Sequence, residues 1–113
     1  MGTKYEQIAA QELRKHGYEI VAMNYRCKRG EIDIVARDGA YLVFAEVKYR
    51  ANSKTGVPEM AVDYKKQVRI CRVADYYLLQ HGLGYDTCVR FDVIAILGTD
   101  VTLYKNAFSY ISR

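Results

Sequence analysis

Two carboxylates and a lysine stand on neighbouring stretches of the chain that both have the composition of β-strands. Asp33 lies in the run over 31–36, and Glu46 and Lys48 lie in the run over 41–49. Because side chains two residues apart in a strand share one face, Glu46 and Lys48 point to the same side of the sheet. Acidic side chains on adjacent strands repel one another unless a cation or a proton separates them. The pattern therefore suggests a site for one hard cation.

The turn between these two runs predicts how the carboxylates are spaced. Asp38-Gly39 is typical of a two-residue hairpin turn, and a hairpin centred on it pairs Asp33 with Phe44. Asp33 and Glu46 are then diagonal neighbours on one face, with Cα atoms roughly 7–8 Å apart. Since the same face carries Phe44 and other apolar side chains, we expect a helix to pack against it. The alternative is a solvated strand face with an ordinary Glu–Lys pair.

Hydrophobic periodicity and turn residues predict seven elements in the order α-β-β-β-α-β-β. Thr3 and Glu6 have the spacing of a capping box at the start of the first helix. Alternation in the first strand places Met23 and Tyr25 on one face. The predicted elements are a helix over 4–16, strands over 18–25, 31–36 and 41–49, a helix over 60–81, and strands over 88–97 and 101–105. This order predicts an α/β fold with a central mixed sheet.

The composition fits one domain spanning residues 1–113, because 50% of the 113 residues are hydrophobic and can form a core. No apolar run approaches the roughly 18–20 residues of a membrane helix, so we expect no membrane partner. Three cysteines at wide spacings fit neither a disulfide framework nor a zinc knuckle, which predicts a reducing cytoplasm. The 17 Lys and Arg against 13 Asp and Glu give a net charge of +4, which permits a polyanionic partner.

Some ionisable residues have patterns that indicate structural roles. Asp92 lies inside an apolar strand, so it needs a buried partner and is not assigned to catalysis. His16 and His81 fall at the ends of the two predicted helices, where a histidine commonly interacts with the helix dipole. Glu31 is interpreted as a strand-end charge, with a supporting role beside the acidic site as the alternative.

A resemblance to a known family rests on several of these segments. Asp33, twelve intervening residues and then Glu46-Val47-Lys48 resemble the PD-(D/E)xK nuclease signature. Over nearly its full length the chain also resembles the YraN-like family of small bacterial proteins, which are predicted nucleases related to archaeal Holliday-junction resolvases. The matching stretches include Asn24-Tyr25-Arg26, Gly30-Glu31-Ile32-Asp33, Phe44-Ala45-Glu46-Val47-Lys48-Tyr49-Arg50, Lys65-Lys66-Gln67, Arg90-Phe91-Asp92-Val93 and Asn106-Ala107-Phe108. The resemblance implies a restriction-endonuclease-like core.

The resemblance also implies roles for the residues of the hairpin. Asp33 and Glu46 would bind Mg²⁺ or Mn²⁺, with the Val47 carbonyl as a further oxygen ligand, and Lys48 would orient water or stabilise transition-state charge. Glu6 would complete the site from the first helix, although its alternative role as a capping partner accounts for it equally well. The sequence departs from the family at Tyr5, where glycine is usual, and at Ala45, where valine is expected.

Basic and polar side chains surround the acidic hairpin and form a candidate surface for phosphate groups. They are Lys28, Arg29, Arg50, Lys54, Lys65, Gln67 and Arg69. The function that follows from the resemblance is a metal-dependent endonuclease acting on branched or junction-like DNA, with DNA expected rather than RNA. The alternative is a nucleic-acid-binding module of the same fold without cleavage activity. Because resolving a junction takes two active sites, that activity would require a homodimer.

Overall fold

A computed structural model describes residues 3–51 and 62–112, and its five strands form one sheet in the order β1-β2-β3-β4-β5. The elements along the chain are α1 (Lys4–Lys15), β1 (Glu19–Cys27), β2 (Gly30–Asp38), β3 (Tyr41–Arg50), α2 (Tyr64–Gln80), β4 (Val89–Leu97) and β5 (Asp100–Phe108). The predicted α/β class and order of elements are confirmed. Among the described residues, no helix is both long and apolar enough to cross a bilayer.

The sheet is mixed because the connection through α2 returns the chain in the same direction. β1, β2 and β3 form an antiparallel meander, β4 pairs with β3 in parallel, and β5 pairs with β4 in antiparallel. One apolar cluster lies between the sheet and α1, and a second lies between the sheet and α2. β4 is buried from Phe91 to Ile96, as its continuous apolar sequence predicts. The two helices therefore cover opposite faces of the sheet.

Local hydrogen bonds determine where the two helices begin and end. Thr3 and Glu6 form the predicted capping box of α1. The predicted start of α2 at residue 60 is wrong, because the Asp63 side chain accepts the Lys66 amide at 2.8 Å and caps a helix that begins at Tyr64. The part of that prediction over 60–61 lies outside the described residues. Each helix ends beside a histidine whose Nδ1 donates to a backbone carbonyl at 2.9 Å, as expected for His16 and His81.

The hairpin between β2 and β3 has a register two residues away from the predicted one. Its turn residues are Gly39 and Ala40 rather than Asp38 and Gly39. Gly39 has a φ of +60°, and glycine at the first position of a two-residue turn is typical of type II′. The alternation of β2 also breaks at Asp33, because Ile32 packs towards α2 and Ile34 packs towards α1. In the observed register, Asp33 and Glu46 are no longer diagonal neighbours and are the residues that follow the last β2–β3 pair, Ile34 with Ala45.

A buried polar network connects β4 to the hairpin end of the sheet. The Asp92 carboxylate is 0% exposed and accepts hydrogen bonds from the Tyr18 hydroxyl at 2.6 Å and the Asn106 amide at 3.0 Å. Arg90 donates to it through Nε and a terminal nitrogen, each at 2.9 Å, and also pairs with Asp38 at 2.8 Å. The expectation that Asp92 has a buried partner is confirmed. β5 extends past the predicted residue 105 because Asn106, with a φ of +54°, keeps the strand in reach of this network.

Replacing Asp92 with asparagine is expected to lower the free energy of unfolding by about 2–3 kcal/mol, because it leaves the Arg90 charge poorly compensated. Urea denaturation at neutral pH measures this change. The matched control is Asp86→Asn in the exposed segment before β4, which should change stability by less than about 0.5 kcal/mol. Equal effects of the two substitutions would show that the Asp92 network does not stabilise the fold.

Candidate metal and nucleic-acid site

The sheet opens between β2 and β3 at the position of the predicted site. The last β2–β3 pair is Ile34 with Ala45, whereas β1–β2 pairing continues to Gly30 and β3–β4 pairing continues to Arg50. Asp33 and Glu46 are the next residues after that last pair. We call this opening the fork. Asp33 therefore has space to place its carboxylate between the two strands.

The Asp33 side chain takes over a hydrogen bond that strand pairing would otherwise satisfy. Its Oδ2 accepts the Val47 backbone amide at 2.9 Å. Burial and the nearby Glu46 charge raise the pKa of Asp33 to about 7, and the Val47 amide opposes them. Asp33 therefore exchanges its proton near neutral pH. Val47 participates through its amide, and a ligand role of its carbonyl stays a prediction.

Glu6 serves the helix cap and also faces the fork. Its Oε1 accepts the Thr3 amide at 3.0 Å and the Asn24 side-chain amide at 2.8 Å. Burial by itself raises the pKa of Glu6, but the hydrogen bonds from Asn24 and Thr3 outweigh it and hold that pKa below its usual value. A hydrogen bond with Asp33 adds to this effect. The predicted capping role of Glu6 is therefore confirmed, and its role at a metal site stays a prediction.

Lys66 approaches the acidic cluster from the other face of the sheet. Its Nζ lies 2.7 Å from Oε2 of Glu46, whose side chain is nearly buried. The hydrogen bond to Glu46 raises the pKa of Lys66. The acidic cluster, defined as Glu6, Asp33 and Glu46, therefore extends through the fork from α1 to α2. Sequence reasoning chose Lys65, whose exposed side chain lies outside this ion pair, and missed Lys66.

Lys48 lies two residues beyond Glu46 on β3 and is half-buried. Burial lowers the pKa of Lys48, and the Arg50 charge lowers it further, while Glu46 opposes both. Next to it, the Tyr49 ring stacks on Tyr5 of α1 with centroids 3.8 Å apart. Tyr5, the residue that departs from the family pattern, thus packs the start of α1 against β3 beside the site.

The residues around the fork fit a hard divalent cation. Carboxylate oxygens are the donors that Mg²⁺ and Mn²⁺ prefer. The Lys66 ammonium group beside Glu46 shows that this carboxylate already faces a positive charge. Within residues 3–51 and 62–112, no three His, Cys, Asp or Glu side chains converge tightly enough to enclose a metal ion. Because Mg²⁺ is commonly held by one or two carboxylates and completed by water and phosphate, Asp33 and Glu46 are candidate ligands of the right chemistry.

The predicted basic residues are found at several places near the fork. Lys28, Arg29 and Arg69 line one open groove together with Arg26, and the Arg69 stem packs over Gly30. Arg50 is exposed beyond the end of the β2–β3 pairing and influences Lys48. The groove lies between the β1–β2 turn and α2. Three of the seven predicted residues therefore form one positively charged surface.

The other predictions for this surface have different outcomes. Gln67 is half-buried and its side-chain amide donates to the Val62 carbonyl at 2.7 Å, so it is engaged at the start of α2. Lys54 lies outside the described residues. Glu31 is exposed and pairs with Arg26 at 2.9 Å, which confirms its interpretation as a strand-end charge.

Asn24 is a further residue at the site that sequence reasoning did not assign. Met23 pairs with Ile34 and Tyr25 pairs with Ile32, so Asn24 stands opposite Asp33. Asn24 thus lies beside Asp33 across the β1–β2 pairing. No pattern in the neighbouring residues predicts that Asn24 lies at the site. Lys66, by contrast, could have been found, because it lies one helical turn before the buried Ile70 and so faces the sheet.

The five-stranded mixed sheet with a helix on each face places the protein in the α/β class. Comparison with known proteins then gives the family. The chain belongs to the family described as uncharacterised protein family UPF0102, whose model matches residues 5–96. The resemblance to YraN-like proteins is thereby confirmed.

Curated relatives support this membership over most of the chain. A UPF0102 protein of Lachnoclostridium phytofermentans is 52% identical over 107 residues, covering 95% of this chain and 91% of the relative. One from Syntrophus aciditrophicus is 46% identical over 91% of this chain and 84% of the relative. One from Chlorobium phaeobacteroides is 51% identical over 86% of this chain and 76% of the relative. The names of these relatives carry the family designation and no activity.

Proposed function

We propose that the protein is a metal-dependent endonuclease that hydrolyses phosphodiester bonds in structured, branched or junction-like DNA. The observation that carries this proposal is the fork, where Asp33 and Glu46 follow the last β2–β3 pair, Asp33 accepts the Val47 amide, and Lys48 follows Glu46 on the same strand. Buried carboxylates with a raised pKa cluster at functional sites, since burying like charges together costs stability. Glu46 is nearly buried, so this end of β3 is not an ordinary solvated strand face.

In this proposal the acidic cluster holds Mg²⁺ or Mn²⁺, and each residue has a separate task. Asp33 and Glu46 provide the oxygen ligands, and Glu6 contributes negative charge from α1. Asp33 is kept in place by the Val47 amide at 2.9 Å. When bound, the cation supplies the charge that polarises the scissile phosphate and activates water. Lys48 stabilises the charge that develops on the phosphate oxygens, because its half-buried ammonium group feels less screening by solvent.

The substrate surface in this proposal is the groove of Arg26, Lys28, Arg29 and Arg69. These side chains follow a phosphate backbone and carry no base-specific pattern, which suits recognition of DNA shape rather than sequence. Junction resolution would bring two copies of the chain to one substrate.

Cleavage of labelled substrates tests the proposal. The assay compares junction, flap, single-stranded and RNA substrates, each with Mg²⁺, with Mn²⁺ and with a chelator. We expect metal-dependent cleavage of branched DNA by the wild type and at least ~10³-fold slower cleavage by Asp33→Asn, since a metal-free site loses most of its transition-state stabilisation. Asp86→Asn, an exposed aspartate in the segment before β4, is the matched control and should cleave as the wild type does.

Equal cleavage by wild type and Asp33→Asn would contradict the proposal. The alternative function is nucleic-acid binding without cleavage, and the ion pair between Lys66 and Glu46 favours it, since a lysine already satisfies one carboxylate. Binding of branched DNA without cleavage under every metal would support this alternative.

A further inference from the structure

We propose that Asn24 is a positioning residue for the acidic cluster: its side-chain amide fixes Glu6 so that this carboxylate faces Asp33. The inference rests on the proposed metal site and adds a residue from β1 to it. Asn24 donates to Oε1 of Glu6 at 2.8 Å, and the Thr3 amide donates to the same oxygen at 3.0 Å. Two donors on one oxygen fix the orientation of the carboxylate.

The backbone of β1 is distorted at the position that makes this contact possible. Asn24 has a φ of +52°, a left-handed conformation that asparagine tolerates better than most residues. Met23 packs towards α1, so regular alternation would direct Asn24 towards α2. Tyr25 packs towards α2 instead, which shows that the alternation is broken at Asn24. The left-handed residue thereby directs its amide to α1, where Glu6 lies.

This arrangement places a neutral donor where it supports the carboxylates without cancelling their charge. Asn24 stands opposite Asp33 in the β1–β2 register, so it lies beside the acidic cluster. A lysine or arginine at this position would bring a competing positive charge, whereas an amide donor orients Glu6 and leaves the negative charge of the cluster available to a cation. Hydrogen-bonding partners of this kind typically contribute 10–100-fold to metal affinity.

Mn²⁺ binding, followed by electron paramagnetic resonance of the free ion, tests the inference without relying on activity. Asn24→Gly removes the amide at a φ that glycine adopts readily. We expect it to weaken Mn²⁺ binding by about 10-fold or more. Asn106→Gly is the matched control, because Asn106 is an exposed asparagine with a φ of +54° that contacts Asp92 through its backbone amide. This variant should bind Mn²⁺ within about twofold of the wild type.

A double-mutant cycle with Glu6→Gln separates positioning from a general structural effect. Glutamine keeps the capping box at this position but removes the charge. In the Glu6→Gln background, Asn24→Gly should change Mn²⁺ affinity by less than about twofold. Unchanged affinity of Asn24→Gly, an equal loss in Asn106→Gly, or an equal loss with Glu6→Gln present would each overturn the role of Asn24. Absence of Mn²⁺ binding by the wild type would instead overturn the proposed metal site and this inference together.

Discussion

Replacing Lys48 with glutamine is expected to lower the rate of metal-dependent DNA cleavage by about 10²–10³-fold while leaving Mn²⁺ affinity unchanged. Lys48 follows the ligand candidate Glu46 by two residues and lies beside the fork, where the phosphate would sit. Glutamine keeps most of the length of the side chain but cannot compensate developing negative charge. Single-turnover cleavage of a junction substrate and Mn²⁺ titration measure the two quantities separately.

Lys66 also contacts the acidic cluster, but we expect its replacement to change the affinity for Mn²⁺. Its ammonium group is 2.7 Å from Glu46, so a divalent cation must displace it to reach that carboxylate fully. Lys66→Gln is therefore expected to increase Mn²⁺ affinity. Lys15→Gln, at the exposed end of α1, is the control for loss of a positive charge. If Lys48→Gln retained cleavage within about threefold of the wild type, the assignment of Lys48 to the transition state would be wrong.

The second prediction with a large expected effect concerns the free energy of unfolding of the metal-free protein. Asp33→Asn is expected to stabilise the metal-free protein at pH 8 by on the order of 2–4 kcal/mol, because it removes a charge that burial and Glu46 make unfavourable. The pKa of Asp33 is raised to about 7 in the folded protein from its ordinary value of 3.8. Between these values the folded state binds more protons than the unfolded state. The contribution of Asp33 to stability is therefore present below pH 4 and is lost as the pH rises to 7.

Urea denaturation of both proteins from pH 4 to pH 8, with a chelator present, measures this difference. The two free energies of unfolding should nearly agree at pH 4 and separate as the pH increases, with Asp33→Asn the more stable protein. Asp86→Asn should show no such divergence, since Asp86 is exposed. Mn²⁺ at pH 8 should stabilise the wild type more than Asp33→Asn. A pH-independent difference between wild type and Asp33→Asn would exclude the raised pKa of Asp33.

The sequence predicted the elements and the acidic hairpin because those depend on local patterns. The two β-rich runs joined by a tight turn placed Asp33 and Glu46 on adjacent strands, and this prediction is correct although the predicted register is not. The turn was misplaced because both Asp38-Gly39 and Gly39-Ala40 put a glycine where a tight turn needs one. In the structure Gly39 takes the first turn position with a φ of +60°, and Asp38 stays in the strand, where it pairs with Arg90.

What the sequence could not predict depends on contacts between distant segments. Asn24 breaks the alternation of β1, so Met23 and Tyr25 pack on opposite faces instead of the predicted common face. Nothing in the neighbouring residues indicates the left-handed φ of Asn24 or its hydrogen bond to Glu6. The partner of Glu46 depends on how α2 rests on the sheet. That orientation brings Lys66 rather than Lys65 to the carboxylate.

The parallel pairing of β3 with β4 has a consequence for how the protein assembles. Asp33 and Glu46 belong to one hairpin, so a short loop brings them together early in folding. Lys66 can reach Glu46 only after the longer crossover has docked α2 against the sheet, which is a slower event of larger loop entropy. During folding, we therefore expect Asp33 and Glu46 to come together before Lys66 reaches Glu46. A proton or a dissolved cation would take the place of Lys66 in that interval, so we expect the rate of folding to depend on pH and on divalent ions.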